Sequence, residues 1–226
     1  MPAANQKKVR SLVPLLGLLL LIPSLLVNAY FLKKTRPPVT VQETELLAVS
    51  DGDSLVLTDG RQVRLRHVDA PELGFCGGQE AKDLLTELVK GKSLTISEEV
   101  TDYHGRPLAL VYAGGDLVNL AMVESGWARY HTDKSSAALQ LREAANRARE
   151  GNLGIFSPLC YQKENPDNPA CAVKGNIDKN SDARKYYLPG CAQYNFTIIE
   201  KDIGESWFCS EKEALAAGFS KAATCR

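Results

Sequence analysis

Between Arg10 and Lys33 the chain carries no charge: Leu12 to Leu32 is a run of 21 residues interrupted only by Pro14, Pro23, Ser24 and Asn28. As a helix rising about 1.5 Å per residue it would span roughly 30 Å, the thickness of a bilayer's hydrocarbon core. A helix that is apolar on every face and flanked at both ends by bases is a poor core helix, so membrane insertion is the expectation. Lys7, Lys8 and Arg10 precede the run and Lys33, Lys34 and Arg36 follow it, three against three. Two readings stand: an uncleaved transmembrane signal anchor with a cytoplasmic amino end, or a signal peptide cleaved near Val27-Asn28-Ala29. The length and the Lys33-Lys34 flank favour the anchor. Either reading places the remainder outside the cytoplasm, held at a bacterial periplasmic or cell surface, or secreted after cleavage.

The cysteines agree with export. All six (Cys76, Cys160, Cys171, Cys191, Cys209 and Cys225) follow the apolar run, and none forms a C-x-x-C pair. Three disulfides are expected, and a zinc-binding tail is the weaker alternative. Lys plus Arg and Asp plus Glu total 27 each, yet the first 36 residues hold six bases and no acid. The rest is therefore net −6, a poor blanket binder of duplex nucleic acid, because that binding comes mainly from neutralising phosphates. Contact with nucleic acid must use a local cluster of Arg or Lys.

Beyond the stiff Lys33–Pro38 linker the pattern becomes that of strands. Glu45–Val49, Ser54–Leu57 and Gln62–Val68 alternate, with Asp51-Gly52-Asp53 and Asp59-Gly60 as the turns between them. Helical spacing follows in Gln79–Lys90, then two strands in Ser93–Glu99 and Leu108–Tyr112. A short helix at Val118–Ser125 and an amphipathic one at Ser135–Glu150 complete the region. Five short strands with helices inserted late predict a small closed barrel, an α+β fold. Residues 158–170 are polar and Pro-rich and form a boundary; the domains expected are 1–36, 39–158 and a Cys-containing module at 171–226.

Taken singly, the polar clusters are ordinary: a solvated Asp-Gly-Asp turn, a strand ending before Pro71, a loop from Asp102 to Arg106. His104 and His131 have no ligand-like spacing. Together they amount to more. Paired strands can bring Asp53 and Asp69 side by side, and two neighbouring carboxylates repel unless a cation joins them. An all-oxygen set suits a hard ion such as calcium. With Arg64, Glu72 and Arg106 close in sequence, the parts for hydrolysing a phosphodiester are present.

These stretches resemble the staphylococcal nuclease (thermonuclease) family. The resemblance covers roughly Thr40 to Pro158 and rests on Val49-Ser-Asp-Gly-Asp-Ser54, Arg64-Leu-Arg-His-Val-Asp-Ala-Pro-Glu72 and Thr101-Asp-Tyr-His-Gly-Arg-Pro-Leu-Ala109, with Val118-Asn119 and Asn152-Leu-Gly-Ile-Phe156 after them. It implies an OB-fold five-stranded barrel with three helices. It also implies calcium-dependent cleavage of DNA and RNA, favouring single strands, at P–O5′ to leave 3′-phosphates. By the same resemblance Asp53 and Asp69 are calcium carboxylates, Ala70 offers a backbone carbonyl, and Asp51 supports them from behind. Glu72 matches the residue that orders or deprotonates the attacking water, and Arg64 and Arg106 match the pair that stabilises the five-coordinate phosphorus. His104 stands where the family often has a phosphate-touching Tyr. The alternative is a non-catalytic nucleic-acid-binding or scaffolding barrel; degenerate copies lose carboxylates or arginines, and here all five remain.

The tail is similar to a small module that follows nuclease domains in some bacterial exported proteins. Of fifteen possible arrangements, the expected pairing is Cys76–Cys160, Cys171–Cys209 and Cys191–Cys225. No obligate protein partner is evident.

Overall fold

The structure, a computed structural model, describes residues 42–225. The apolar run Leu12–Leu32 and the linker after it lie outside the described residues. Among the described residues, no helix is long and apolar enough to cross a membrane.

The first extended segment is split at Glu45 into β1 (Gln42–Thr44) and β2 (Leu46–Val49). β3 (Ser54–Leu57) and β4 (Gln62–Leu65) form the hairpin that Asp59-Gly60 predicts, with Gly60 at φ 84°. Then come β5 (Val68–Asp69), helix α1 (Gly78–Val89), β6 (Leu94–Thr101), β7 (Pro107–Ala113) and β8 (Asp116–Leu117). Helix α2 (Val118–Glu124), β9 (Arg129–Tyr130) and helix α3 (Ala138–Glu150) complete this part. The main sheet runs β1-β6-β7-β4-β3-β2, with β8 on β7. Its two edges are the halves of one stretch of chain, so the sheet curls round on itself. The five-stranded closed barrel of the sequence reading is thus a curled sheet whose first strand is interrupted.

The core is set by spacing. Leu55, Leu57, Val63 and Leu65 point inward at period two, and Ala81, Leu85 and Val89 of α1 cover them at period four. Leu141, Ala144 and Ala148 of α3 are the buried stripe of an otherwise charged helix. Asn119 is fully buried and ties α2 to the sheet. Its Oδ1 accepts from the Val111 N–H (2.8 Å), and its Nδ2 donates to the carbonyls of Arg66 (2.8 Å) and Ala109 (3.0 Å).

The strand expected over Gln62–Val68 breaks in two. His67 lies at φ 67°, in the left-handed region, and buries its ring between the His131 carbonyl (Nδ1, 3.0 Å) and the Ser135 hydroxyl (Nε2, 2.7 Å). Arg66 turns inward to Asp133 (2.6 Å) and to the carbonyls of Glu98 and Lys134. These bonds redirect the chain so that Val68-Asp69 pairs with β9 instead of continuing β4.

The tail forms a four-stranded sheet ordered β14-β11-β12-β15, from β11 (Val173–Ile177), β12 (Arg184–Tyr187), β14 (Ser206–Phe208) and β15 (Ser220–Lys221). Helix α4 (Glu211–Ala216) packs on it, and β10 (Tyr161–Gln162) pairs with β13 (Ile199–Glu200). Val173, Tyr186, Ala214 and Phe219 make its small core. The three disulfides are Cys76–Cys160, Cys171–Cys209 and Cys191–Cys225, the expected set; no described cysteine is free to ligate zinc. Barrel and tail belong to one compact unit.

Candidate active site

Arg64 sits at the junction of three strands. Its Cα partner on β3 is Ser54, next to Asp53, and its parallel partner on β7 is Leu108, two residues beyond Arg106. The sheet therefore delivers Asp53, Arg64 and Arg106 to one rim, and β5 brings Asp69 to the same place. The Arg64 Nη2 lies 2.7 Å from Asp53 Oδ2 and 2.6 Å from Asp69 Oδ1, so the two carboxylates face a single cationic group.

The Asp51–Asp53 turn fits because residue 52 has no side chain: a Cβ there would lie 2.6 Å from the Cβ atoms of both Ala70 and Ala81. Asp51 Oδ1 accepts the Asp53 N–H (3.0 Å) and fixes the turn. Asp53 is buried, with Oδ1 accepting from the Ser54 hydroxyl (2.8 Å) and Oδ2 from the Ala70 N–H (3.0 Å). Burial pushes its carboxyl up to about 7, against the pull of Arg64 and the Ala70 N–H. Asp69 is different, its side chain being 57% exposed.

Arg106 is placed by Asp102. The Asp102 Oδ1 accepts the N–H groups of His104 (2.8 Å) and Arg106 (2.9 Å), and Oδ2 accepts from Arg106 Nε (2.8 Å). Burial would raise the Asp102 carboxyl, but these bonds hold it below its ordinary value. The same ion pair raises Arg106. His104 occupies the loop beside Arg106, its ring 3.7 Å from that of exposed Tyr103.

A cleft of about 430 Å³ joins these parts; Asp51, Arg64, Glu72 and Arg106 line it, with Arg61 and Gln62 beside them. The residues singled out in the sequence thus come together, Asp53 and Asp69 meeting Arg64, and Glu72 lining the same cleft as Arg64 and Arg106. No described group of three or more His, Cys, Asp or Glu side chains converges on one point. The pair Asp53–Asp69 nevertheless fits a hard dication. Its donors are all oxygen, and the buried Asp53 carboxylate lacks solvent to compensate its charge. Ala70 follows directly, with its N–H on Asp53.

The sequence motifs include Asp102 and Asn119 without assigning either a role, and they do not include Arg129. An Asp four residues before an Arg, with Gly105 between, is the signal that would have found the first. Arg129 is the β9 partner of Asp69, a non-local pairing with no local signature.

The residues that build this cleft fall where the chain resembles known proteins. The family model described as staphylococcal nuclease homologue matches residues 62–158. A micrococcal nuclease of Shigella flexneri is 34% identical over 127 residues, covering 50% of this chain and 72% of that protein. An uncharacterised endonuclease of Escherichia coli O157:H7 is 36% identical over 120 residues, covering 50% of this chain and 75% of its own length. A staphylococcal-like nuclease of Arabidopsis thaliana is 30% identical over 114 residues, covering 50% of this chain and 33% of its own. With the Asp53–Arg64–Asp69 junction, these likenesses make the chain a member of the staphylococcal nuclease family.

Proposed function

We propose that the protein is a calcium-dependent nuclease that hydrolyses DNA and RNA, preferring single strands, and cleaves P–O5′ to leave 3′-phosphate and 5′-hydroxyl ends. The observation that carries this reading is the convergence of Arg64, Glu72 and Arg106 on one cleft whose rim holds two carboxylates on a shared cationic partner.

Asp53, Asp69 and the Ala70 carbonyl would hold calcium, which when bound supplies positive charge against the phosphoryl oxygens. Glu72 orders the attacking water and takes its proton as the new P–O bond forms. Arg64 and Arg106 present guanidinium donors to the equatorial oxygens, where charge grows in the transition state. Arg106 also faces the departing 5′-oxygen, which leaves with a proton from solvent. The loop carrying His104 gives the substrate a neutral or charged imidazole according to pH, in place of a phenol. The preference for single strands is in keeping with the net −6 beyond the first 36 residues, which weakens non-specific binding to duplexes.

The protein works outside the cytoplasm, held by its N-terminal apolar segment. Three disulfides support that side of the membrane. Digestion of heat-denatured DNA by the full chain tests the activity: fragments should appear with added calcium and vanish with a chelator. Binding of the DNA without cutting, with calcium present, would identify a binding domain instead.

A further inference from the structure

Asp69 lies on a two-residue strand whose only ladder partner among the described residues is β9, and there it stands opposite Arg129. Asp53 is held from within the barrel by Ser54 and Ala70. Asp69 has no such support; Arg64 is its side-chain partner. Its orientation therefore depends on how β9 is held: by the His131 N–H on the His67 carbonyl (2.8 Å) and, through Arg129, by the tail.

Arg129 donates through Nε to Asp202 Oδ2 (2.7 Å) and through Nη2 to Glu200 Oε2 (2.6 Å). The exposures of these side chains are 17% for Arg129, 1% for Asp202 and 15% for Glu200, so the triad is largely removed from water. Asp202 Oδ1 is buried with no hydrogen-bond partner, so the fold tolerates an unsatisfied acceptor in order to keep this carboxylate on Arg129. An ion pair so placed adds little stability over an apolar contact; what it adds is orientation.

The same short segment grips the other side of the cleft. Cys76, four residues after Glu72, is disulfide-bonded to Cys160. Its N–H donates to the Lys201 carbonyl (3.3 Å), while the Lys201 N–H donates to the Cys160 carbonyl (2.8 Å). The Phe75 ring lies against Gly204. Residues 200–204 thus touch both β9, the ladder partner of the strand that carries Asp69, and the loop that follows Glu72.

We propose that the Glu200–Gly204 segment braces the cleft and that Arg129 and Asp202 are positioning residues that orient Asp69 for the divalent cation. The tail is then a working part of the site. This rests on the nuclease reading of the cleft. Groups that orient a metal's ligands typically alter affinity 10–100-fold when removed.

The test uses the full chain with four substitutions: Asp202→Asn, the apolar pair Arg129→Met with Asp202→Leu, and Glu211→Gln as a control. Glu211 accepts the Tyr186 hydroxyl (2.6 Å) inside the tail and touches nothing at the cleft. Calcium affinity is read by calorimetry, and local opening by amide hydrogen exchange. Asp202→Asn and the apolar pair should weaken calcium about tenfold or more and speed exchange in β5, β9 and residues 73–78, even where the apolar pair restores the melting temperature. Glu211→Gln should lower the melting temperature and leave calcium affinity unchanged. An apolar pair that binds calcium as tightly as the parent, with unchanged exchange in β5, overturns the proposal. A parent chain that binds no calcium defeats the nuclease reading instead, and exchange at β5 then decides the brace alone.

Discussion

Gly78 backs onto the peptide of Glu72: a Cβ at residue 78 would be driven into the Glu72 carbonyl oxygen and lie 2.8 Å from its carbonyl carbon. The first residue of α1 therefore sets the height of the loop that carries Glu72. Gly78→Ala must displace that loop by about 1 Å, because backbone is what it meets. A misplacement of this kind costs about 100-fold in turnover, and the overpacking about 1–3 kcal/mol of stability. Calcium affinity should stay near the parent value, since Asp53 and Asp69 lie on other elements. Steady-state kinetics beside calorimetry separates the effects, and an unchanged kcat would break the link between Gly78 and Glu72.

Arg106 depends on Asp102. Asp102→Ala removes two bonds to backbone N–H groups and one to the Arg106 side chain. Asp102→Asn keeps a carbonyl oxygen for the backbone and loses the ion pair. Turnover should fall by about tenfold or more in the alanine variant and by less in the asparagine variant. The melting temperature should move little, because the loop is exposed. Equal kinetics in both variants would show that the ion pair alone holds Arg106.

The pH dependence follows from Asp53, whose carboxyl is raised by burial from 3.8 to about 7. An acid raised by folding stabilises the fold below its unfolded value and loses that contribution as pH climbs through the folded one. With a chelator present, stability should therefore decline from about 3.8 to about 7. Glu205, raised by burial to about 7, declines in the same window and blurs that readout. Calcium affinity isolates Asp53. The ion selects the carboxylate, so affinity should rise with pH up to about 7 and then level. A flat calorimetric profile between pH 5 and 7 would contradict the burial of Asp53.

Cys76–Cys160 closes a loop of 84 residues, and removing it relaxes the unfolded chain by about 4–5 kcal/mol on the chain-entropy account. It also ties the Glu72 loop to the start of the tail. Replacing both cysteines by alanine should lower the melting temperature and slow cleavage together. A slower enzyme at temperatures where the variant is fully folded would show the tie acting on the loop itself.

Much of the site was legible because its residues lie in local patterns. Asp59-Gly60 between alternating runs marks a hairpin, and Asp53, Arg64 and Asp69 are close enough in sequence for that hairpin to gather them. The extent of β4 was not legible. Alternation continues through His67 on paper, yet the bonds of Arg66 and His67 to residues 98 and 131–135 override it. Nor was the role of the tail, since Arg129 meets Asp202 across 73 residues of sequence. Such pairings arise only once barrel and tail have packed.

On this reading Glu72 handles the attacking water in a cleft that it lines with Arg64 and Arg106, beside the carboxylates of Asp53 and Asp69 on Arg64. Turnover of a short single-stranded DNA by Glu72→Gln, against the parent at saturating calcium, tests it most directly. Glu72 is exposed, so the variant should melt with the parent. Its kcat should fall by about 10²–10⁴-fold, the usual contribution of a positioned base. A variant that cuts at the parent's rate would contradict the account.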